Sequence, residues 1–125
     1  MRDSDALRTT LNLHAIVSIA DPKGNIISVN DTFCEISGYS REELIGSNHR
    51  IVNSGKHLPS FWSNLWKTIS SGRSWRGEIC NRKKNGDLFW EFAVIAPVKS
   101  SDGMVRHFVA INEDITVQRQ AHAAL

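Results

Sequence analysis

The side chains in this sequence that could do chemistry are amides, aromatics and histidines, and they do not form a catalytic constellation. The five histidines are scattered along the chain, which has no Ser/His/Asp arrangement, no HExxH motif and no paired catalytic carboxylates. Cys34 and Cys80 lie far apart, without a CxxC or a Cys/His cluster of metal-ligand spacing. We therefore expect a protein that is not an enzyme and that has free thiols and no metal centre.

Two other side chains could bind a ligand. Asn81 carries a donor and an acceptor in one amide, so it can pair with a neighbouring carbonyl and N–H at once. Trp66 offers an aromatic face that can stack on a planar ring. Each also has a plain structural interpretation, as a strand asparagine at a sheet edge and as a core tryptophan of an amphipathic helix. The elements that hold these residues therefore matter.

The composition indicates one ordinary globular module. The 125 residues have room for a single core, and 41% of them are hydrophobic and 22% charged. A net charge of +2 is too small to indicate nucleic-acid binding. No apolar run approaches the roughly 20 residues of a membrane span, and the polar start of the chain has no signal-peptide core. We expect a cytoplasmic protein without direct membrane contact.

The first half of the chain begins with a predicted hairpin and continues in short helices. The β-rich runs 15–20 and 25–29 flank a turn that contains Pro and Gly. Asn30 or Asp31 can cap the helix that follows, and residues 40–43 form a capping-box sequence that opens another.

The second half is predicted to contain one longer helix and three strands. Residues 58–69 carry apolar side chains at helical spacing, and Gly72 is a stop signal. Runs 75–84, 87–99 and 104–115 read as strands whose short connections force antiparallel neighbours. The order of elements predicts an α+β fold, with a five-stranded antiparallel sheet and the short helices on one of its faces.

Both ends of the chain are predicted to be helical. Residues 3–13 and 116–125 are rich in leucine or in good helix formers. The second segment has no Gly or Asn stop signal and resembles the beginning of a longer helix that leaves the module. One face of the sheet would remain uncovered, and the terminal helices or a second copy of the chain would dock there.

In this arrangement the chain resembles PAS domains over about residues 5–116. The resemblance implies a PAS fold with an N-terminal helical cap over residues 1–14, a sensor domain over 15–116 and the start of a C-terminal linker helix over 117–125. Domains of this family bind a ligand between sheet and helices, or bind nothing and only pair. The markers occur in the family's order at residues 19–21, 29–30, 37–46, 81–86 and 113–116.

Several segments are similar to the flavin-binding branch of the family, found in aerotaxis receptors and in the redox sensor of nitrogen-fixation control. These segments are residues 48–52, 65–66, 74–77 and 81–86. The resemblance implies FAD as the cofactor, ahead of FMN or haem, in a module that reports redox state or oxygen to an attached output domain. The cofactor-binding residues that it implies are Asn81, Trp66, His49, Asn48, Arg50, Ser18, Trp75 and Asn112.

The chain also resembles the blue-light flavin sensors, but it differs where their photochemistry takes place. Residues 46–53 are similar to their Gly-x-Asn-Cys-Arg-Phe-Leu-Gln motif, with His49 in place of the reactive cysteine. Glu91 and Asn112 stand where those sensors carry an asparagine and a glutamine. Because their photo-adduct cannot form without a thiol at that position, a redox sensor is favoured over a light sensor.

The resemblance also suggests roles for individual residues. Asn81 would hold the polar rim of the flavin, and Arg50 could pair with its pyrophosphate. His49 could exchange protons during reduction, because histidine titrates near neutral pH. Trp62 lies one turn before Trp66 and is interpreted as a core residue.

Two alternatives stay open on the sequence alone. A haem-binding gas sensor of the same fold would use His49 or His57 as its axial ligand. A ligand-free module would fill the pocket with its own side chains and only dimerise. The expected partners are a second copy of the chain, through the N-terminal helix and the open sheet face, and an output domain, through the C-terminal helix.

Overall fold

In the computed structural model, which describes residues 14–123, the chain forms a five-stranded antiparallel sheet with short helices on one face. The strands lie in the order β2-β1-β5-β4-β3. The predicted α+β fold is therefore confirmed, and each strand lies within a residue or two of its predicted bounds. The elements are β1 (Ile16–Ala20), β2 (Ile26–Val29), α1 (Asp31–Ser37), α2 (Arg41–Leu44), a 3-10 helix (His49–Val52), α3 (Pro59–Ser70), β3 (Trp75–Arg82), β4 (Leu88–Lys99), β5 (Val105–Asp114) and α4 (Thr116–Ala123).

The hairpin of β1 and β2 is held by its turn. The Asp21 carboxylate accepts the backbone N–H groups of Lys23 and Asn25, both at 2.9 Å. Gly24 has a φ of 86°, a conformation that glycine adopts without strain. These contacts bring the turn back over the sheet, where it reaches the helical side of the domain.

Side-chain caps begin the short helices. Oδ1 of Asn30 accepts a first-turn N–H of α1 at 3.1 Å, and Ser40 and Glu43 form a reciprocal capping box at the start of α2. Oδ1 of Asn48 accepts the N–H of Arg50 at 3.2 Å and begins the 3-10 helix. Each of these helices is short because the N-cap of the next helix follows within about ten residues.

The longer helix α3 packs across β3 and β4 and differs from its prediction at one end. Leu58, predicted to lie on the apolar face of the helix, is its N-cap and is 73% exposed, because Pro59 opens the helix. Leu65 and Ile69 are buried against the sheet, in contact with the cluster that includes Ile79. One side of α3 thus forms a wall facing the sheet.

The core consists of two apolar clusters that both rest on the same face of the sheet. One cluster lies under α1, α2 and the 3-10 helix, and the other lies under α3. Between them the sheet is not filled by apolar side chains. The clusters comprise Ile16, Ile26, Val29, Phe33, Leu44, Val52 and Phe89, and Leu65, Ile69, Ile79, Ala93 and Phe108.

The opposite face of the sheet exposes apolar side chains, among them Phe92 at 38% and Ile111 at 43%. Helix α4 lies beside β4 on this face, where the guanidinium of Arg119 stacks over the ring of Trp90 at 3.6 Å. Helix α4 occupies the place where the sequence predicts a helix. The predicted N-terminal helix over residues 3–13 lies outside the described residues. Within residues 14–123, no helix has both the length and the apolarity needed to cross a membrane.

Candidate ligand-binding site

A cavity of about 280 Å³ lies between the sheet and the side formed by α3 and the 3-10 helix. Its volume is close to the lower end of the range of ligand pockets, roughly 300–1,000 Å³. A space for a ligand is therefore present where the resemblance implied one. The cavity is lined by Ser18, Ala20, Gly24, Asn48, His49, Arg50, Val52, Asn53, Trp62, Leu65, Trp66, Ile69, Ile79, Asn81, Glu91, Ile95, Phe108, Ala110 and Asn112.

Besides Ser18 on β1, three buried polar side chains line the sheet side of the cavity, and we call these three the polar floor. Asn81 on β3, Glu91 on β4 and Asn112 on β5 are 5%, 5% and 7% exposed. Nδ2 of Asn81 donates to Oε1 of Glu91, and Nδ2 of Asn112 donates to Oε2 of Glu91 at 2.7 Å. A buried polar group without a partner costs about 1–3 kcal/mol, so these hydrogen bonds are what makes the polar floor tolerable.

The register of the sheet brings the polar floor together. Glu91 pairs with Ile79 on β3 and with Asp114 on β5. Asn81 lies two residues after Ile79, and Asn112 lies two residues before Asp114, so both are diagonal neighbours on the same face as Glu91. Both asparagines are predicted from the sequence as ligand-binding residues, whereas Glu91 is recognised there only as a departure from the blue-light sensors. A carboxylate in the otherwise apolar middle of β4 was the signal that could have found it.

Burial raises the pKa of Glu91 from 4.5 to about 7, because the carboxylate loses its hydration. The hydrogen bond from Asn112 opposes this shift, and the nearby carboxylate of Asp114 adds to it. Glu91 is therefore a buried acid that gains or loses its proton near neutral pH.

One atom of the polar floor has no partner among the described residues. Oδ1 of Asn112 is buried and accepts no hydrogen bond. Buried acceptors without a donor are rare, and the N–H on the edge of a planar heterocycle is a donor of the kind that this atom could accept. The donor and acceptor atoms of the polar floor therefore fit a ring whose edge carries N–H and C=O groups.

His49 lies on the helical side of the cavity, opposite the sheet. Its Nε2 and Oγ of Ser18 form a hydrogen bond of 3.1 Å, and its ring meets Phe33 edge-on at 6.1 Å. Desolvation lowers the pKa of His49 from 6.5 to about 4. The expected near-neutral titration of His49 is therefore wrong for this structure, and Glu91 is the cavity residue with that property.

Asn48 and Arg50 lie beside His49 at the solvent side of the cavity. Nδ2 of Asn48 donates to the backbone oxygen of Lys23 at 3.1 Å and to Oδ1 of Asn25 at 3.3 Å. Because its Oδ1 also caps the 3-10 helix, Asn48 holds the loop in place. Arg50 is exposed and lines the cavity, which puts a cationic side chain at the entrance.

The wall that α3 contributes is aromatic. Trp66 lines the cavity and meets Phe108 edge-on at 5.8 Å. The β1–β2 turn approaches Trp66 so closely that a Cβ atom on Gly24 would lie 3.0 Å from the indole ring. Trp62, interpreted from the sequence as a core residue, packs against the apolar cluster under α3 and in addition lines the cavity.

The structure does not bring Trp75 to the cavity. Trp75 shares a face of β3 with Asn81, but it lies six residues away, about 20 Å at the usual strand rise. Its ring packs edge-on against Phe61 at 5.5 Å and covers Gly77, where a Cβ atom would lie 2.6 Å from the indole. In this structure Trp75 therefore has a packing role at the far end of the strand.

His57, one of the two histidines considered for a haem, also lies outside the cavity lining. Its Nε2 accepts the backbone N–H of Cys80 at 2.8 Å, and its ring stacks on Phe61 at 4.0 Å. The nitrogen lone pair that an iron would need is thus already used.

Thiols and metal-ligand clusters are not part of the cavity. Cys34 and Cys80 are free, and neither belongs to the lining residues. In the described part of the chain, no three or more His, Cys, Asp or Glu side chains are grouped so that they could hold a metal ion.

The fold, with its ligand-sized space between sheet and helices, is that of a PAS domain. A family model described as PAS domain matches residues 13–117. This chain therefore belongs to the PAS domain family, as the resemblance indicated.

Several known proteins are similar to this chain. It is 32% identical over 101 residues to the nitrogen fixation regulatory protein of Klebsiella oxytoca, which covers 81% of this chain and 20% of that protein. It is 32% identical over 114 residues to the aerotaxis receptor of Escherichia coli K12, which covers 88% of this chain and 22% of that protein. The chain thus spans about a fifth of the length of these curated relatives.

Solved structures show the same fold. The LOV domain from the blue-light activated histidine kinase of Erythrobacter litoralis superposes with a TM-score of 0.74 at 30% identity, over 82% of this chain and 96% of that one. A light-oxygen-voltage domain studied with a flavin analogue superposes with a TM-score of 0.80 at 19% identity, over 98% of this chain and 93% of that one. The second likeness concerns the fold alone.

Proposed function

We propose that this PAS domain binds FAD between its sheet and α3 and reports the redox state of the flavin, or oxygen, to an output domain attached to the chain. In this proposal the domain is a cytoplasmic sensor and not an enzyme. The observation that carries the proposal is the cavity itself, which has aromatic and apolar walls and a polar floor with one unpaired acceptor.

The cavity suits the chemistry of a flavin ring. The ring system is broad and apolar, and its pyrimidine edge alternates C=O and N–H groups. Trp62 and Trp66 offer aromatic surface to the ring, while the amides of Asn81 and Asn112 can pair with both kinds of edge group. Arg50, at the entrance, could pair with the phosphates through its planar guanidinium.

The similar proteins support the same class of function. A structural neighbour that is 30% identical is a LOV domain of a blue-light activated kinase. The relatives named for nitrogen fixation regulation and for aerotaxis are longer proteins, of which this chain spans about a fifth. An attached output domain is therefore part of the proposal.

A redox role is favoured over a light-driven thiol adduct, because no cysteine lines the cavity in the described structure. A bound flavin supplies reversible reduction coupled to proton uptake. The residues of this chain that can hold a proton beside it are Glu91 and the hydrogen-bonded pair of Ser18 and His49. Of these, Glu91 has the pKa closer to neutrality, at about 7.

A continuous set of contacts joins the polar floor to α4. Trp90 directly precedes Glu91 in β4. Its backbone N–H donates to Oγ1 of Thr116 at 2.9 Å, and its backbone oxygen accepts the N–H of Ile115 at 2.9 Å. Arg119 covers the ring of Trp90. A change in the hydrogen bonds of Glu91 would therefore act on the start of α4, and an output domain that follows this helix would respond to the altered balance of states.

A second copy of the chain is the other proposed partner. Phe92, Val98 and Ile111 are exposed apolar residues of the sheet face opposite the cavity. Apolar patches of this kind are typical of interaction surfaces. The segment 3–13, predicted from the sequence to be helical, lies outside the described residues and is expected to take part in the same contact.

An ultraviolet-visible spectrum of the freshly purified chain tests the proposal. We expect a flavin absorbance band that bleaches on anaerobic reduction and returns in air, and chromatography of the released cofactor then distinguishes FAD from FMN. A Soret band would instead indicate haem. A colourless protein that takes up no flavin on reconstitution would indicate the ligand-free dimerisation module, and either of these results would contradict the proposal.

Reporting to α4 is tested by hydrogen exchange of the flavin-loaded protein in its oxidised and reduced states. We expect the backbone amides of α4 to exchange at different rates in the two states, while the exposed Asn85–Gly86 turn serves as an internal reference. Equal exchange rates of the α4 amides in the oxidised and reduced states would contradict the proposed transmission of the redox state to α4.

A further inference from the structure

The polar floor offers different chemistry to the cavity depending on one proton. With Glu91 ionised, Oε1 accepts from Asn81 and Oε2 accepts from Asn112. In this arrangement the fully buried atom of the polar floor that has no partner is an acceptor, Oδ1 of Asn112. The unfilled position of the polar floor then requires a donor from the ligand.

A protonated Glu91 reverses that requirement. Its O–H must donate, and the amide of Asn112 is within reach, because the nitrogen of that amide lies 2.7 Å from Oε2. Turning the amide by about 180° exchanges its oxygen and nitrogen, which occupy nearly the same shape. Oδ1 then accepts the O–H of Glu91, and Nδ2 replaces the unpaired acceptor with a donor. A ligand carbonyl opposite this nitrogen would leave every polar atom of the pair satisfied.

We propose that the binding of a flavin is coupled to the uptake of one proton by Glu91, with the amide of Asn112 turned so that it donates to a ring carbonyl. The inference rests on the proposed function, in which the cavity holds a flavin. The proton comes from solvent and ends on Oε2 of Glu91, and no other group of the protein changes its charge.

Occupation of the cavity acts in the same direction. A ring that fills the space removes water from the vicinity of Glu91, which disfavours the ionised carboxylate. The carbonyl oxygens of the ring edge also repel a negative charge. Because burial already raises the pKa of Glu91 to about 7, a further rise keeps the proton on this side chain at neutral pH.

The other charged groups near Glu91 do not supply this proton. His49 and Arg50, from the 3-10 helix, line the same cavity. Burial lowers the pKa of His49 to about 4, so its ring is neutral near pH 7. The guanidinium of Arg50 stays charged. From β5, Asp114 pairs with Glu91 in the register and raises its pKa. Among the described lining residues, β1, β3 and α3 contribute no ionisable side chain.

Titration of the chain with FAD at several pH values tests the coupling. Since binding raises the pKa of Glu91, affinity is highest at low pH and is lost as the pH rises. We expect a constant Kd below about pH 7 and a Kd that increases about tenfold per pH unit above it, until the pKa of the bound state is reached. Glu91→Gln resembles the protonated acid and should bind FAD with a Kd that does not depend on pH. Glu113→Gln, exposed on the other face of β5, is the matched control and should keep the wild-type profile.

Calorimetry in buffers of different ionisation enthalpy counts the proton directly and needs no variant. At about pH 8 we expect close to one proton to be taken up per FAD bound by the wild-type chain. FAD binding without proton uptake, and with a flat Kd, would overturn the coupling and leave the flavin proposal standing. Absence of FAD binding at every pH would overturn both.

Discussion

The two faces of the sheet differ in chemistry although they belong to the same strands. On the inner face, Asn81, Glu91 and Asn112 are 5%, 5% and 7% exposed. On the outer face, Phe92 follows Glu91 and Ile111 precedes Asn112, and these two side chains are 38% and 43% exposed. A half-covered antiparallel sheet usually has hydrophobic residues inside and polar residues outside. These five positions depart from that rule, although the rest of the inner face carries the apolar core clusters.

This difference indicates what each face is built to meet. Buried polar groups need partners, and one atom of the polar floor, Oδ1 of Asn112, has none among the described residues. Exposed apolar groups are typical of surfaces that meet another protein. We infer that the inner face is completed by a ligand and the outer face by a protein surface, and that the strands couple the two.

The largest effect is expected when the inner face is made apolar. Asn81→Leu removes the amide that donates to Glu91 and that would also pair with the ring, so the affinity for FAD should fall at least about 100-fold, or about 3 kcal/mol for two lost hydrogen bonds. Fluorescence titration measures this loss. Asn64→Leu, on the exposed side of α3, is the control. If Asn81→Leu keeps wild-type affinity, the polar floor does not select the ligand.

The pH dependence of stability distinguishes the two sides of the cavity. The pKa of Glu91 is raised from 4.5 to about 7, so its contribution to stability is complete below about pH 4.5 and is lost as the pH rises to about 7. The pKa of His49 is lowered from 6.5 to about 4, so its contribution is present above about pH 6.5 and is lost as the pH falls to about 4. Each contribution amounts to about 3 kcal/mol, and the two oppose each other between these limits.

Variants separate these contributions in urea unfolding followed by tryptophan fluorescence. The free energy of unfolding of the wild type, minus that of Glu91→Gln, should decrease by about 3 kcal/mol from about pH 4.5 to about pH 7. The corresponding difference for His49→Gln should increase by about 3 kcal/mol from about pH 4 to about pH 6.5. Differences that stay constant with pH would contradict the two shifted pKa values.

A smaller effect is expected when the outer face is charged. Ile111→Arg places a cation in the exposed apolar patch, so the dissociation constant of the dimer should increase at least about tenfold, or about 1.4 kcal/mol. The affinity for FAD should not change, because Ile111 points away from the cavity. Sedimentation equilibrium measures the dimer, with Ser101→Arg in the β4–β5 turn as the control. A wild-type chain that stays monomeric would remove the proposed role of this face.

The smallest effect is expected where α4 meets the outer face. Arg119→Ala removes the cation over Trp90 and the ion pair with Glu78. Because the side chains of Arg119 and Glu78 are about half-exposed, the free energy of unfolding should fall by less than about 1 kcal/mol. The amides of α4 should exchange faster, while the affinity for FAD stays the same. Gln118→Ala is the neighbouring control. If Arg119→Ala lowered the affinity for FAD as much as Asn81→Leu does, the two faces of the sheet would not have separate roles.

Most of the fold could be predicted because its signals act over a few residues. β-rich runs predicted the strands, turns with Gly24 and Gly86 predicted their connections, and Asn30 and Ser40 predicted helix starts. Leu58 is the exception, because the helical spacing continues past the point where Pro59 begins the helix. Local pattern does not distinguish a residue at the end of a helix from one just outside it.

The site could be predicted only in part, because its contacts join residues that are distant in the chain. The family resemblance pointed to Asn81 and Asn112, but not to Glu91 between them, since their meeting depends on the register of three strands. Trp75 has the alternation that places it on the same face as Asn81, but its distance along β3 takes it away from the cavity. Trp62 has helical spacing consistent with a core residue, and only the space beside it makes it part of the lining.

By itself the sequence determined the order of helices and strands and the turns and caps that join and begin them. Tertiary structure alone decided which buried groups hold a proton near neutral pH. The pKa of His49 moves to about 4 and that of Glu91 to about 7, the reverse of what their ordinary values suggest. The reason is that a pKa in a protein depends on the water removed and the partners supplied by surrounding elements, and neither is recorded in the residues next to it along the chain.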